Sequence, residues 1–346
     1  MRLGSVDAAQ EQQFSRIRGA VRLQDGTIAV ADGASQEIRF FTAEGAFAGA
    51  AGGRGSGPGE FRMLGSIRRT QNDSVIAWDI VARRVSVYGP TGTLLREQTL
   101  DELAGGLEFL GRLGDRAMMF APQARSTPSG TAGVHRASRP FILVRDGGTR
   151  IDTITILPGF EHEVVLGDRV TSFEIPYARH AFGAAAGDRV YIGSNDRFEI
   201  QQRDASGTLV RLIRYPGGEQ PLREQDVLAL EREVISYVDP APDRLRSIQR
   251  LFREVPQPEL LPAFSAMLVD AEDNLWVASW VSAFAPPQRA PAEWYVFAAD
   301  GHLLGRVDMP AGFRPLDVGT DYVLGVTRDD LEVEQIELYR LHRQAR

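Results

Sequence analysis

Apolar residues along this chain come in short runs broken by Gly, Asp, Asn and Pro, and one region alone carries a helical period. A unit recurs: a loosely apolar strand, a tight turn, a strongly apolar strand, a loop, an alternating strand, a Gly-ended turn and a last strand. In the first unit the second and third strands are TIAVAD at 27–32 and EIRFFT at 37–42, followed by the turn AEG at 43–45. The second unit repeats this with SVIAWD (74–79), RVSVYG (84–89) and the turn PTG (90–92). The third gives RAMMFA (116–121) and PFILVRDGG (140–148), and the fourth RVYIGS (189–194) and FEIQQRDASG (198–207). The fifth gives NLWVAS (274–279) and EWYVFAADG (293–301), and the sixth YVLGVT (322–327) and EQIELYRL (334–341).

The sixth unit lacks a fourth strand, and RLGSV at 2–6 is its natural donor. Pairing the N-terminus into the last unit would close a ring and remove the edges that an open array exposes. The expected fold is all-β: a six-bladed β-propeller closed by the N-terminal strand, one domain over residues 1–346. After the turn glycines 45, 92, 148 and 207, Gly301 follows only after a much longer gap. That gap does not read as a seventh unit. Leu222, Val227, Leu230, Val234 and Val238, then Leu245, Ile248, Phe252 and Val255, recur at helical spacing around the break DPAPD. They predict a helical pair inserted at about 219–255, between units four and five.

In such a ring the first-to-second and third-to-fourth connections share one face. Here they are short, with the turn-forming QDG, QND and EDN among them. The opposite face takes every long segment: 52–62, 122–139, 158–176, 216–262 and 280–292. Long loops are costly to order without a use, which places functional residues there. The stretch 52–62, GGRGSGPGEFR, invites a phosphate-loop reading. However, a short strand and not a helix follows it, Pro58 removes an N–H from any cradle, and the chain has no lysine for a Walker A loop. It reads instead as the connector from unit one to unit two.

Composition narrows the partners. A net charge of −7 argues against nucleic acid, which needs a basic stripe. All 39 basic residues are arginine, as in proteins of GC-rich genomes. The absence of cysteine excludes disulfides, thiol nucleophiles and Cys-based metal sites. No run of 18 apolar residues exists, so no transmembrane segment is expected. The start, MRLGSVDAAQEQQ, lacks the basic and apolar regions of a signal peptide, so none is expected in this chain. It opens in a strand, which leaves room for a segment removed upstream.

GRGSGPGEF at 53–61, AWDIVARRVSVYGPTG at 77–92 and DAEDNLWV at 270–277 resemble NHL-type repeats and the wider group of bacterial six-bladed propellers. The resemblance covers nearly the whole chain. It is greatest to a bacterial lineage of secreted or lipid-anchored propellers of unassigned function, which close with a stretch like YVLGVTRDDLEVEQIELYRL at 322–341. It implies a propeller fold and a periplasmic or cell-surface location, and it implies no particular reaction. Weak strand markers in the third unit and the missing export signal depart from the pattern.

Candidate chemistry is sparse. None of the five histidines, His135, His162, His180, His302 and His342, sits in an HxH or HExxH spacing, so no zinc site is predicted. His162 lies between Glu161 and Glu163 in a loop. His180, next to Arg179, falls where a long connector enters the first strand of unit four, near the channel mouth. The lactonase-like six-bladed hydrolases hold an axial ion with Glu, Asn and Asp from inner strands. Here the inner strands, such as SRIRGAVR, MLGSIRR and RPLDVG, carry arginine near their starts, which disfavours a calcium cage. An anion-attracting mouth is expected from Arg54, Arg179 and Arg139, with pairing to neighbouring carboxylates as the competing role. Asp79 with Arg84 matches the NHL-type Asp and Arg placement that ties blades together, and Asp32 has the same place without its Arg. Arg328 and Asp329, beside Asp330 and Glu334, occupy it in unit six. Trp280 with Phe284 offers either an apolar platform or packing for the helical insert. No GxSxG elbow occurs.

The ligand-binding candidates are therefore Arg54, Asp79, Arg84, Arg179, His180, Trp280, Arg328 and Asp329, with no cofactor, no metal and no catalytic set. The expected function is a non-enzymatic, monomeric binding propeller of the bacterial cell envelope. Its long-loop face would take a protein or a small anionic ligand. The alternative is an NHL-like hydrolase or lyase acting at the channel mouth.

Overall fold

The apolar runs become strands because each is short, rich in β-branched or aromatic residues, and stopped by turn-forming residues. The computed structural model describes residues 1–5, 9–114, 117–123, 131–166, 170–238, 240–282, 284, 293–329 and 331–343. Unit one is an antiparallel sheet of Ile17–Arg22, Ile28–Asp32, Glu37–Phe41 and Phe47–Gly52. Unit two follows with Leu64–Arg69, Val75–Asp79, Arg84–Tyr88 and Leu94–Thr99. Unit four comprises Ala181–Ala186, Arg189–Ser194, Glu199–Asp204 and Leu209–Arg214. Unit five comprises Ala266–Val269, Leu275–Ala278, Glu293–Phe297 and Leu303–Asp308. Unit six supplies Arg314–Val318, Tyr322–Arg328 and Glu334–Arg340, and its outer strand is Arg2–Leu3, with Leu3 opposite Ile336. The five turn glycines, Gly45, Gly92, Gly148, Gly207 and Gly301, all have φ between 82° and 91°, a region that side chains disfavour.

Unit three departs from expectation. After Leu107–Leu113 and Ala117–Pro122 come two long strands, Gly133–Arg145 and Arg150–Val165, and an added edge strand, Thr171–Glu174. The segments 122–139 and 158–176, expected as loops, are thus strand in large part. Pro158 and Gly159, at the start of the segment expected as a loop, mark a register shift between Arg136 and Ser138, beyond which Gly133 pairs with Val164. Arg116, Asp330 and much of the loops at 122–139 and 280–292 lie outside the described residues.

Units three and four are joined into one nine-stranded sheet by a parallel bridge between Gly111 and Ala185. Elsewhere neighbours meet through side chains. Ile38, Phe40, Phe61, Ile67 and Tyr88 fill the space between units one and two. Leu3, Ile28, Phe41, Leu324 and Ile336 do the same between units six and one.

The helical insert forms where its period predicts, as α1 (Glu224–Tyr237) and α2 (Pro242–Arg253). Asp226 Oδ2 accepts from the Arg223 N–H at 3.0 Å, and Pro242 starts α2 with φ already set. Leu230, Val234, Ile248 and Phe252 pack with Tyr177, and Trp280 packs against the same cluster. Arg250 clamps α2 to the extended hairpin of unit three through two bonds to Glu163, at 2.7 and 2.6 Å. No helix among the described residues is long and apolar enough to cross a membrane.

Candidate functional site: an arginine-rich cavity at the axis

The first strands of the units line two cavities end to end along the axis. One, of about 450 Å³, includes the short turns at Thr70, Gly114 and Gly187 in its wall and so opens on the short-loop face. The other, of about 380 Å³, is lined by the strand starts at Arg18, Gly65, His180, Ser265 and Arg314 and opens on the long-loop face. Arg68, Glu108, Leu110, Gly183, Met267 and Leu316 line both.

The long-loop cavity carries its charge unevenly. Arg18, Arg68, Arg139 and Arg314 line it against one carboxylate, Glu108. Arg139 is buried, and its Nη2 donates to Glu108 at 2.7 Å. Arg68 donates to the carbonyl of its neighbour Ile67 at 2.9 Å. Among the described residues, the side chains of Arg18 and Arg314 have neither an ion pair nor a hydrogen bond, and both residues are exposed. Desolvation, followed by Arg328, Arg68 and Arg18 as like charges, outweighs nearby Glu334 and lowers the Arg314 pKa. Arg18 reaches the axis because it is the extra residue of a β-bulge: Ile17 pairs with Asp32 and Gly19 with Ala31.

Four buried polar atoms of residues lining this cavity have no hydrogen-bond partner among the described residues: Ser66 Oγ, Arg139 Nε, His180 Nδ1 and Trp294 Nε1. Such atoms cost roughly 1–3 kcal/mol each when left unmatched. The Arg139 and Trp294 atoms can only donate. His180 becomes a donor too. Arg139 Nη1 donates to His180 Nε2, so that nitrogen must accept, and the single proton of the neutral ring lies on Nδ1. Burial first, then Arg139 and Arg136, lowers the His180 pKa to about 3.

Of the residues singled out from the sequence, His180 and Arg139 line the cavity. Arg328 lines an adjoining cleft with Arg16, Arg18 and Arg314, but it is paired with Glu332 and Glu334, each at 3.2 Å. Arg179 is spent on Glu161, with Nε at 2.9 Å from Oε2, and on Asp196 at 3.4 Å. Arg54 is exposed and donates to the Ala34 carbonyl at 3.3 Å. Asp79 is fully buried and accepts from the backbone of Arg62, Met63, Val81 and Ala82, fixing the entry to its own unit. Arg84 stands opposite Asp79 in the ladder but pairs with Glu97 at 3.1 Å and holds the carbonyls of Ser56 and Gly57. Asp32 does have its arginine, Arg39, at 3.1 Å. Trp280 stacks on Tyr177 at 5.4 Å among the helix contacts, so it packs the insert. Asp329 accepts from Leu331, Val333 and Gln335 and shapes a turn.

The connector 52–62 uses its own donors: Gly53 bonds Gln36, Phe61 bonds Gly53, and Gly57 bonds Glu60 Oε2. No phosphate cradle remains. Arg18, Arg68 and Arg314 were visible as a bias in the inner strands; Ser66 and Trp294 gave no signal.

The model of a family described as a 6-bladed beta-propeller, DUF5128, matches residues 10–120. No curated protein matches the chain. Among solved structures, a protein of the DUF4221 family from Bacteroides vulgatus is similar at 10% identity and TM-score 0.55, covering 99% of this chain and 97% of that one. A protein from Bacteroides fragilis described as exported is similar at 14% identity and TM-score 0.50, covering 98% and 94%. A catalytically inactive virginiamycin B lyase from Staphylococcus aureus with quinupristin reaches 11% identity and TM-score 0.43, covering 97% and 83%, which is too distant to bear on activity. With the sheet order, the family model and the likeness to the two Bacteroides proteins make the chain a β-propeller.

Proposed function

We propose that this protein is a non-enzymatic binding propeller that takes an anionic ligand in the axial cavity of its long-loop face. One observation carries the reading. The cavity holds two guanidinium groups, Arg18 and Arg314, with no anion partner among the described residues, beside four buried polar atoms that also lack partners. Exposed guanidinium groups with no anion of their own, lining a cavity that holds one carboxylate, favour a bound anion over a cation. The reading includes a single monomeric domain and a place in the bacterial cell envelope; the likeness to an exported propeller supports that place.

The test is thermal unfolding at constant ionic strength with sodium acetate and inorganic phosphate as probes. A saturable rise in Tm with either salt, lost in an Arg18→Gln/Arg314→Gln variant, is the expected result. Equal shifts in the variant, or none in the wild type, would overturn the reading. Chemical conversion of a bound anion would return the hydrolase or lyase alternative to first place.

A further inference from the structure

The cavity is two-sided, and this bears on what kind of anion it holds. The free guanidinium groups enter from units six and one, Arg314 and Arg18, with Arg68 beside them from unit two. Across the axis the wall carries no free charge, Arg139 being paired with Glu108, and its apolar part comes from Phe182 of unit four and Met267 and Leu268 of unit five. A hydrated inorganic ion would leave that second wall wet and unused. A volume of about 380 Å³ is within the range of small-molecule sites.

Resting on the anion-binding reading, we infer that the ligand is an organic acid with an apolar body. The acid group meets Arg18 and Arg314. The body lies against Phe182, Met267 and Leu268. Each part of the ligand answers a separate feature of the wall, so each can be removed on its own.

The probe is 3-benzoylpropionate, titrated at constant ionic strength and read by tryptophan fluorescence, since Trp78 and Trp294 both line the cavity. Two analogues each test one feature: acetate lacks the body, and 3-benzoylpropionamide lacks the charge. We expect acetate to bind about tenfold more weakly or worse, from the apolar area left unburied. The amide should lose about tenfold or more. Arg314→Gln should weaken acetate and 3-benzoylpropionate alike, whereas Met267→Asn should erode only the advantage of the larger acid.

Acetate or phosphate binding as tightly as 3-benzoylpropionate would overturn this inference and leave the anion reading standing. If the amide matched the acid, or if no anion bound at all, the anion reading itself would fall.

Discussion

The guanidinium of Arg139 donates to Nε2 of His180, and this contact decides what the imidazole can do. With Nε2 held as an acceptor, protonating His180 would add a second positive charge against Arg139, in a partly buried site where Arg136 already opposes it. The ring therefore stays neutral far below the usual histidine range, with its pKa lowered to about 3. In the unfolded chain the same ring titrates near 6.5. Above 6.5 both states are neutral and His180 gives no pH dependence. As pH falls from 6.5 towards 3, the unfolded state takes up a proton that the folded state refuses, so stability is lost. A His180→Gln variant should lose less stability than the wild type between pH 7.5 and pH 5, as measured by urea unfolding. An equal loss in both proteins would mean that His180 titrates normally.

Asp317 shows the opposite sign in the short-loop cavity. Its Oδ2 accepts from the Arg22 N–H at 3.0 Å and from the Tyr322 hydroxyl at 2.7 Å. Burial nevertheless outweighs these bonds and the pull of Arg69 and Arg68, and raises its pKa above the ordinary 3.8. The folded state keeps its proton to a higher pH than the unfolded chain, so the contribution is full below 3.8 and declines as pH rises through the folded value. Asp317→Asn keeps an acceptor without the charge. It should flatten the stability profile between pH 4 and pH 7.5, whereas Asp317→Ala, which strands both donors, should cost about 1–3 kcal/mol. Parallel profiles for wild type and Asp317→Asn would count against the assignment.

Arg84 was a site candidate from its sequence position, and its contacts make it a structural clamp. With Asp79 it stands beside the glycine-rich connector, where it bonds the carbonyls of Ser56 and Gly57 and pairs with Glu97. Arg84→Met should lower unfolding stability by about 2 kcal/mol, since buried acceptors lose their donor. Anion affinity at the axis should change by less than about twofold, because Arg84 does not line the cavity. A large loss of binding without a loss of stability would reverse that division of roles.

These contrasts show which parts of the molecule the sequence could reveal. Strand identity, turn glycines, the pairing of Arg2–Leu3 with the last unit and the helical insert were legible because each rests on local periodicity and turn chemistry. The extension of unit three was hidden because Pro158 and Gly159 look like a break and act as a register shift. The cavity was half legible. An arginine bias at the starts of inner strands could be seen, but which arginines stay free depends on partners remote in sequence. Glu161 takes Arg179, while nothing described takes Arg18 or Arg314. Trp294 and Ser66 enter the cavity through the packing of whole units, which no local pattern records.

Gly111 sets how closely units three and four approach, and it gives the sharpest test of the fold. Its φ is 148°, and a Cβ placed there would lie 1.9 Å from the carbonyl oxygen of Ala185, the residue to which it is bridged. Backbone cannot move aside as a flexible side chain can, so even the smallest substitution must break the bridge or shift a whole strand. Gly111→Ala should destabilise by about 3 kcal/mol or more in urea unfolding. Gly305, inside a strand of unit five, has nothing within 4 Å of its would-be Cβ. Gly305→Ala should therefore change stability by less than about 0.5 kcal/mol. Equal effects at the two positions would show that the bridge at Gly111 does not hold units three and four together.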